Sequence, residues 1–474
     1  MKTLPQDPGY ESRLPANAAP RQDSQTGMGR RGFLKGTVAA SAAGVAPFNI
    51  LKAGPSPNSK VNIACVGVGG MGGNDANALA AADNVNVVAL CDVHESWHRK
   101  KSARYKENLG GIKLWKDYRV MFDKIGKDID AIYTGTPEHV HYAVCMFGMK
   151  RGKHVFAQKP LCRTVNEARI LTEEAGKSRV VTQMGNQGHS TEATAVVRDW
   201  VQGGCIGKVR KVIGYSRKNY CTLAEPAAGG EIPEDLEWDL FLNRAEAIPF
   251  SPSYINREWI RYSHFSGIVG DMGSHLLDPA CYALDPGPPL SVMAELPETY
   301  PPGWLARPAV IPWEFAARGE MPPVTMKYYL GPDIPYPRPE HLEEGRDTWF
   351  MKSGSALIGE ESSIMTGESF NPARIFPEAA MKATRKPPKA AYRRKGSSHL
   401  QNWVRAIQGE DKAMSSFDVM GPFSEMLLLG DVAAMNPGRK LQWDHENMRI
   451  TNDEEADKCA YMRRPAPRDD MNWT

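Results

Sequence analysis

The sequence has no cysteine pattern of the kind that marks a metal centre or a disulfide framework. Its eight cysteines are scattered over 474 residues, and no two of them form a Cys-x-x-Cys pair. Cys65 and Cys91 stand in apolar, strand-like runs, where cysteine is usually a small buried hydrophobic residue. We therefore predict free thiols and no metal site.

Excess charge of one sign and long apolar runs are also missing. The net charge is only +3 at pH 7, which is too small an excess of positive charge to indicate binding to nucleic acid or to a membrane surface. No apolar run after the N-terminal region is long enough to span a bilayer. Because the chain is too long for a single hydrophobic core, we expect two or three domains and a small-molecule partner.

The N-terminal region has the features of an export signal. Residues 1–29 are polar, and the run Arg30-Arg31-Gly32-Phe33-Leu34-Lys35 is followed by small, weakly apolar residues up to Ala46. Paired arginines before such a run are typical of a twin-arginine signal, and the alternative is an amphipathic N-terminal helix. We predict that residues 1–59 are signal peptide and linker, cleaved near Ala53, and that the protein is periplasmic or otherwise exported.

A dinucleotide-binding motif follows directly. The apolar run Val61–Val66 indicates a strand buried on both faces, and it leads into a GxGxxG motif at Gly67–Gly72 and a helix from about Asn74. In such motifs the first glycine allows the tight turn, the second allows close approach of the pyrophosphate, and the third allows helix–strand packing. Gly67, Gly69 and Gly72 hold those places here.

The acidic residue that such a motif requires is also present. A second predicted strand, Asn86–Cys91, ends at Asp92, 20 residues beyond Gly72. A carboxylate there pairs with the ribose hydroxyls of NAD and repels a 2′-phosphate. His94 and His98 stand nearby and would soften that repulsion, so NADP remains an alternative.

Strands and helices then alternate, which predicts an α/β fold. Alternating βαβ units up to Met184 indicate a doubly wound parallel sheet of six strands, which we assign to a Rossmann domain at residues 60–188. Beyond it, at 189–474, the pattern changes to that of an α+β domain with a mostly antiparallel sheet. The proline-rich stretches 297–322 and 331–349 are predicted to be surface or inter-subunit excursions.

Two segments carry candidate catalytic side chains. Lys159 follows the predicted strand Val155–Ala157, and ligands of open α/β sheets collect beyond such strand ends. In Gly270–Asp278 a helix would place Asp271, His275 and Asp278 on one face, where a carboxylate beside a histidine suits a general base. Taken alone, each segment also fits a structural role, a solvated lysine before a turn and a helix-capping aspartate.

The motifs together resemble the Gfo/Idh/MocA family, named for glucose–fructose oxidoreductase and inositol dehydrogenase. GVGGMG, the aspartate after the second strand, Thr-Pro-x-x-x-His, Gly-Lys-His-Val-x-x-x-Lys-Pro and Gly-Asp-x-Gly-x-His-x-x-Asp occur in that order. The resemblance covers about residues 60–450. The runs Leu236–Leu242 and Leu441–Met448 are similar to those of the exported, twin-arginine branch.

The resemblance implies a Rossmann domain and a C-terminal open-faced sheet, with the site between them and a homodimer or homotetramer. It implies that Lys159 is the catalytic lysine, His275 the acid/base and Asp271 its partner. The implied cofactor-binding residues are Gly67, Gly69, Met71, Gly72, Asp92, Thr136, Pro137, His141, Gln158, Lys159 and Asn186. The implied substrate residues are His189, Trp259, Arg261 and His275.

Two departures from the family pattern stand out. The family motif is usually Glu-Lys-Pro, whereas position 158 is glutamine here. Residues 263–266 read Ser-His-Phe-Ser, where an acidic residue and a glycine are expected.

From this we predict an NAD(P)-dependent oxidoreductase that acts by hydride transfer on a hydroxyl of a sugar, a sugar derivative or a cyclitol, with tightly bound NAD. An alternative is a redox-neutral, NAD-dependent glycoside hydrolase that oxidises its substrate transiently and cleaves it by elimination. Export favours this alternative, because free NADH is difficult to recycle outside the cytoplasm. A further alternative is a regulatory protein that binds NAD without catalysis.

Overall fold

A computed structural model describes residues 60–217, 229–255, 258–296, 309–346, 353–368, 373–384, 387 and 389–463. The signal and linker predicted for residues 1–59 lie outside the described residues, as does Cys221.

The N-terminal part is built on a parallel sheet of six strands. Its order is β3-β2-β1-β4-β5-β6, and every neighbouring pair is parallel. The strands are β1 Val61–Val66, β2 Val85–Cys91, β3 Leu114–Trp115, β4 Ala131–Thr134, β5 His154–Ala157 and β6 Thr182–Met184. The predicted doubly wound sheet is confirmed.

Helices cover both faces of this sheet. The helices of this part of the chain are α1 Gly70–Ala80, α2 Glu95–Ser102, α3 Lys106–Leu109, α4 Tyr118–Ile125, α5 Glu138–Met149, α6 Val165–Ser178 and α7 Glu192–Gln202. Ile63 and Cys65 of β1 belong to one hydrophobic core, and Ala64 and Val66 belong to another on the opposite face. The uninterrupted apolar sequence of β1 follows from this two-sided burial.

The C-terminal part is built on a nine-stranded, mostly antiparallel sheet. Its order is β13-β12-β11-β7-β10-β9-β8-β14-β15. Within this second sheet, as far as the structure describes it, only β7 and β10 form a parallel pair. The strands are β7 Lys211–Ser216, β8 Ser291–Val292, β9 Ala309–Phe315, β10 Val324–Leu330, β11 Ser353–Ile358, β12 Ser363–Gly367, β13 Arg374–Phe376, β14 Leu441–Asp444 and β15 Arg449–Ile450.

Strand β9 corrects the prediction that residues 297–322 form a surface excursion. Ile311 and Trp313 are fully buried, and the strand pairs along its whole length with β10. Pro312 lies where the regular pairing of β8 with β9 ends, at Trp313, and its missing N–H removes one hydrogen bond before the pairing resumes at Glu295 and Val310. The Pro312 carbonyl still accepts a hydrogen bond from Met293 N at 3.1 Å.

Two of the remaining helices, α12 and α13, pack against the N-terminal part. Trp403, Val404 and Ile407 of α12 pack into the core beside β1. Tyr461 is buried and donates a hydrogen bond to the Ser266 carbonyl at 2.6 Å, so the chain around Tyr461 packs against the segment that contains Ser266. The helices of the C-terminal part are α8 Trp238–Leu242, α9 Gly270–Leu276, α10 Asp278–Leu284, α11 Glu378–Ala383, α12 His399–Ile407, α13 Phe417–Met435 and α14 Glu454–Asp457.

The seven cysteines in the described part of the chain are free thiols, as predicted. None of the described helices combines the length and the apolar character that a membrane span requires.

Candidate active site

The site lies at the carboxyl edge of the parallel sheet. The register aligns Val66 with Cys91 and with Thr134, and Thr134 with Ala157, so the loops after these four strands meet. They open into a cavity of about 1300 Å³ that is also lined by residues of the C-terminal part. Ligand pockets usually measure about 300–1,000 Å³, so there is room for a dinucleotide and a second ligand.

The glycines of the first loop are required by close contacts. Gly67 has φ +74°, and a Cβ there would lie 2.5 Å from the backbone nitrogen of Thr136. A Cβ on Gly72 would lie 1.8 Å from the Gly67 carbonyl oxygen. Because α1 begins at Gly70, inside the motif, the N–H groups of its first turn face this loop and suit the phosphates of a dinucleotide.

Asp92 connects the glycine loop to the loop after β2. Its Oδ2 accepts hydrogen bonds from Val68 N at 2.9 Å and Gly69 N at 3.1 Å, and its Oδ1 accepts one from His94 N at 3.0 Å. Burial raises the pKa of Asp92, although these three N–H groups and nearby His98 oppose the shift. The carboxylate lies in the cavity wall, where a ribose hydroxyl would meet it.

The wall therefore fits a dinucleotide, since it combines a glycine cradle, a helix start and a ribose-side carboxylate. Within the described residues, the predicted site residues Gly72, His141, Asn186, His189 and Arg261 do not line it. Those that do are Gly67, Gly69, Met71, Asp92, Thr136, Pro137, Gln158, Lys159, Trp259, Asp271 and His275.

Lys159 and Asp271 meet at the other end of the cavity. The Lys159 ammonium forms an ion pair with the Asp271 carboxylate and donates a hydrogen bond to the Asp271 carbonyl at 3.2 Å. The approach depends on Gly270, where a Cβ would lie 2.9 Å from the Pro160 ring. The first residue of α9 thus packs directly on the turn that carries Lys159.

His275 lies one turn after Asp271 on α9 and shares the cavity wall with it. The predicted single face with Asp278 is wrong, because α9 ends at Leu276 and Asp278 begins α10. Asp278 is buried and instead accepts a hydrogen bond from Nδ1 of His189 at 2.7 Å. This buried pair keeps both side chains away from the cavity.

His141 lies behind the cavity wall, between two of the loops that form it. Its Nδ1 lies 2.8 Å from the Pro160 carbonyl and its Nε2 lies 2.8 Å from the Thr136 carbonyl. Two carbonyl acceptors favour a doubly protonated ring, but burial lowers the pKa of His141 to about 4. The ring is therefore neutral and donates its one N–H to one of the two carbonyls, and it packs between the Thr136 loop and the Lys159 turn.

Two other predicted residues also lie outside the wall. Asn186 is buried and donates to Sδ of Met420 at 3.3 Å. Arg261 forms an ion pair with Glu258 at 2.9 Å.

Two buried carboxyl groups behind α9 were not predicted. Glu138, on α5, accepts hydrogen bonds from Ser266 Oγ at 2.8 Å and Gly267 N at 3.1 Å. Asp431 accepts from the next two backbone N–H groups, of residues 268 and 269, at 2.7 and 3.1 Å. Burial raises the pKa of Glu138 to about 8 and that of Asp431 to about 7. Asp431 is the only acid in the apolar run 427–433, and this pattern could have indicated a buried carboxyl group from the sequence.

Comparison with known proteins agrees with this architecture. The profile of the GFO/IDH/MocA oxidoreductase family with an NAD-binding Rossmann fold matches residues 61–186, and that of the family's C-terminal alpha/beta domain matches residues 192–302. A Glycosyl hydrolase family 109 protein of Solibacter usitatus is 26% identical over 48% of this chain and 48% of its own length. Levoglucosan dehydrogenase of Pseudarthrobacter phenanthrenivorans is 24% identical over 35% of each chain.

The chain thus matches about half, or less, of the length of these curated relatives. Among solved structures, the WlbA dehydrogenase of Bordetella pertussis, in complex with NADH and UDP-GlcNAcA, aligns with a TM-score of 0.55 at 15% identity. That alignment covers 81% of this chain and 99% of the other. At this identity the likeness shows the fold alone. The two profiles of one family lie in order along the chain and together match half of it, so the chain belongs to the Gfo/Idh/MocA family of oxidoreductases.

Proposed function

We propose that the protein is an NAD(P)-dependent oxidoreductase that transfers hydride from a hydroxyl-bearing carbon of a sugar, a sugar derivative or a cyclitol. The observation that carries the proposal is the gathering of Lys159, Asp271 and His275 in the wall of the cavity that also contains the glycine loop and Asp92. A substrate in that cavity lies between a dinucleotide site and a set of acid–base groups.

The roles of the side chains follow from their contacts. Bound NAD(P) supplies the hydride acceptor. The Lys159 ammonium, held by Asp271, donates a hydrogen bond to the substrate oxygen and stabilises the negative charge that develops there. His275 accepts the hydroxyl proton as general base. Trp259, from a different segment, supplies an apolar face in the same wall.

A second candidate function is redox-neutral glycoside hydrolysis. It is favoured by the similarity to the family 109 hydrolase and by contacts that fix the loop after β2. Glu237 N donates to the Val93 carbonyl at 3.0 Å, and Ser96 N donates to Oδ2 of Asp235 at 2.5 Å. These bonds hold residues 235–237 against the loop that follows Asp92. A fixed loop beside the ribose-side carboxylate supports tight retention of the cofactor, which a self-regenerating cycle needs.

Turnover of defined substrates separates the candidates. Purified protein is incubated with NAD and a panel of free sugars, cyclitols and glycosides, while reduced nicotinamide is followed by absorbance and products by mass spectrometry. Lys159→Met, which removes the ammonium but keeps the length of the side chain, is the control for contaminating activity.

The dehydrogenase predicts one reduced cofactor for each oxidised product. Cleavage of a glycoside without net reduction selects the hydrolase instead. Binding of NAD without turnover of any panel member would favour the regulatory alternative.

A further inference from the structure

Asp75 is an acidic side chain in the cavity wall to which the sequence patterns assign no role. It lies on α1, three residues after the glycine motif. Its Oδ2 accepts hydrogen bonds from Tyr133 Oη at 2.7 Å and from Gln158 Nε2 at 2.5 Å. The carboxylate is therefore anchored from β4 and from the residue beside Lys159.

The second oxygen of Asp75 remains available to a ligand. Both donors to this carboxylate reach Oδ2, and within the described part of the chain no side chain or backbone group donates to Oδ1. The side chain still lines the cavity. Oδ1 can thus accept a hydrogen bond from a group that enters the cavity.

A glutamine at position 158 is compatible with an acid at position 75, whereas a glutamate there would not be. Its Oε1 accepts a hydrogen bond from Lys159 N at 3.3 Å, and a Cβ on Gly185 would lie 2.6 Å from the same atom. The amide is therefore closely packed. A glutamate at position 158 would place its carboxylate against that of Asp75, and two carboxylates at hydrogen-bond distance cannot both ionise.

We propose that Asp75 is a cofactor-binding residue, whose Oδ1 accepts a hydrogen bond from a hydroxyl or amide N–H of the nicotinamide half of the dinucleotide. Asp75 then supplies a carboxylate next to position 158, where the family usually has an acid, and Gln158 connects it to Lys159. The proposal rests on the proposed function, because it requires a nicotinamide dinucleotide in the cavity.

The other titratable groups facing Asp75 do not complicate a test by pH. Burial raises the pKa of the Cys65 thiol and that of the Tyr133 phenol above their ordinary values of about 8.5 and 10. Both groups therefore keep their protons, and stay neutral, between pH 5 and 9. Lys159 is held by Asp271. Burial also raises the pKa of Asp75 itself, against the two hydrogen bonds.

The first arm of the test measures charge and uses no ligand. Thermal stability is recorded against pH for the wild type, Gln158→Glu and the double variant Asp75→Asn with Gln158→Glu. Two facing acids share a proton at low pH and repel when it is lost. Gln158→Glu should therefore lose stability more steeply than the wild type as pH rises. The double variant has one acid and one amide and should return to the wild-type slope. A wild-type slope in Gln158→Glu would refute the pairing.

The second arm measures binding of NAD and of ADP, which lacks the nicotinamide half. Asp75→Asn should weaken NAD binding about tenfold, the order expected for a hydrogen bond to a charged group, and leave ADP binding unchanged. Tyr133→Phe is the matched control, since it removes one anchor but keeps the charge and Oδ1, and it should bind NAD as the wild type does.

Unchanged NAD affinity in Asp75→Asn would overturn the proposal, as would an equal loss for ADP. Failure of the proposed function gives a different result. In that case no sugar is turned over although the wild type binds NAD, and the two arms keep their predicted outcomes.

Discussion

Lys159 and Asp271 stand 112 residues apart in the chain and form an ion pair in the cavity wall. Both side chains are mostly buried, with 20% and 14% of their surfaces exposed. The pair exists because α9 packs its first residue on Pro160 and because two buried acids hold the turn before the helix. Its position relative to the dinucleotide loops is therefore fixed by the fold rather than by a flexible loop.

The fit of α9 against Pro160 can be tested with Gly270→Ala. The added methyl group would lie 2.9 Å from Pro160, and such overpacking costs about 1–3 kcal/mol. We expect lower thermal stability and lower turnover, because Asp271 moves away from Lys159. Gly176→Ala is the matched control. Gly176 is also helical but has open space around its Cβ, so this variant should be at least as stable as the wild type and equally active.

Glu138 should make stability depend on pH. Its pKa of about 8 in the folded protein lies above its usual value of 4.5, so between these values the folded protein holds a proton that the unfolded chain has lost. This contribution is fully present below about pH 4.5 and is lost as pH rises through about 8. Asp431, with a pKa of about 7, acts in the same direction.

Thermal melts between pH 4.5 and 9 check this prediction. Glu138→Gln is neutral throughout and should show a shallower fall in melting temperature as pH rises. Glu107→Gln, at an exposed position, should keep the wild-type slope. An unchanged slope in Glu138→Gln would mean that Glu138 is ionised in the folded protein.

Asp92 should determine the preference between NAD and NADP. Asp92→Ala removes the charge that repels a 2′-phosphate, so the ratio of NADP to NAD affinity should rise. Asp130→Ala provides a control, because Asp130 also accepts a backbone N–H, that of Asn62 at 3.0 Å, but lies before β4 rather than after a strand. Calorimetric titration of both cofactors measures the ratio. Tighter binding of NADP by the wild type would refute the assignment.

Export through the twin-arginine route is predicted from Arg30 and Arg31. Replacement of both by lysine should leave the precursor in the cytoplasm, as measured by cell fractionation and immunoblotting. Equal appearance of the variant and the wild type in the periplasm would contradict the prediction.

The parallel sheet could be predicted because its signals are local. The apolar run Val61–Val66 was read directly from the chain, since burial on both faces leaves a clear pattern. Strand β9 was missed because its signal is tertiary. Prolines surround it and one lies within it, and only the pairing with β10 shows that Ile311 and Trp313 face a core.

The candidate site was predicted in part. The family resemblance placed Lys159, Asp271 and His275 together, and the cavity wall contains all three. It did not reveal Asp75 or Glu138, although a carboxylate on the apolar side of α1, between the buried Gly72 and Leu79, was a readable signal. Arg394, which also lines the cavity, arrives from a distant segment, and no local pattern indicates that approach.

The central claim is that Lys159, Asp271 and His275 form the catalytic set. Turnover of a validated sugar or cyclitol substrate, measured together with NAD affinity for His275→Ala, Lys159→Ala and the double variant, tests it most directly. Each single change should lower turnover about 100- to 10,000-fold, and the double change should cost much less than the product of the two. NAD affinity should hold in His275→Ala, because the glycine loop and Asp92 lie at the other end of the cavity. Near wild-type turnover in His275→Ala would contradict the claim.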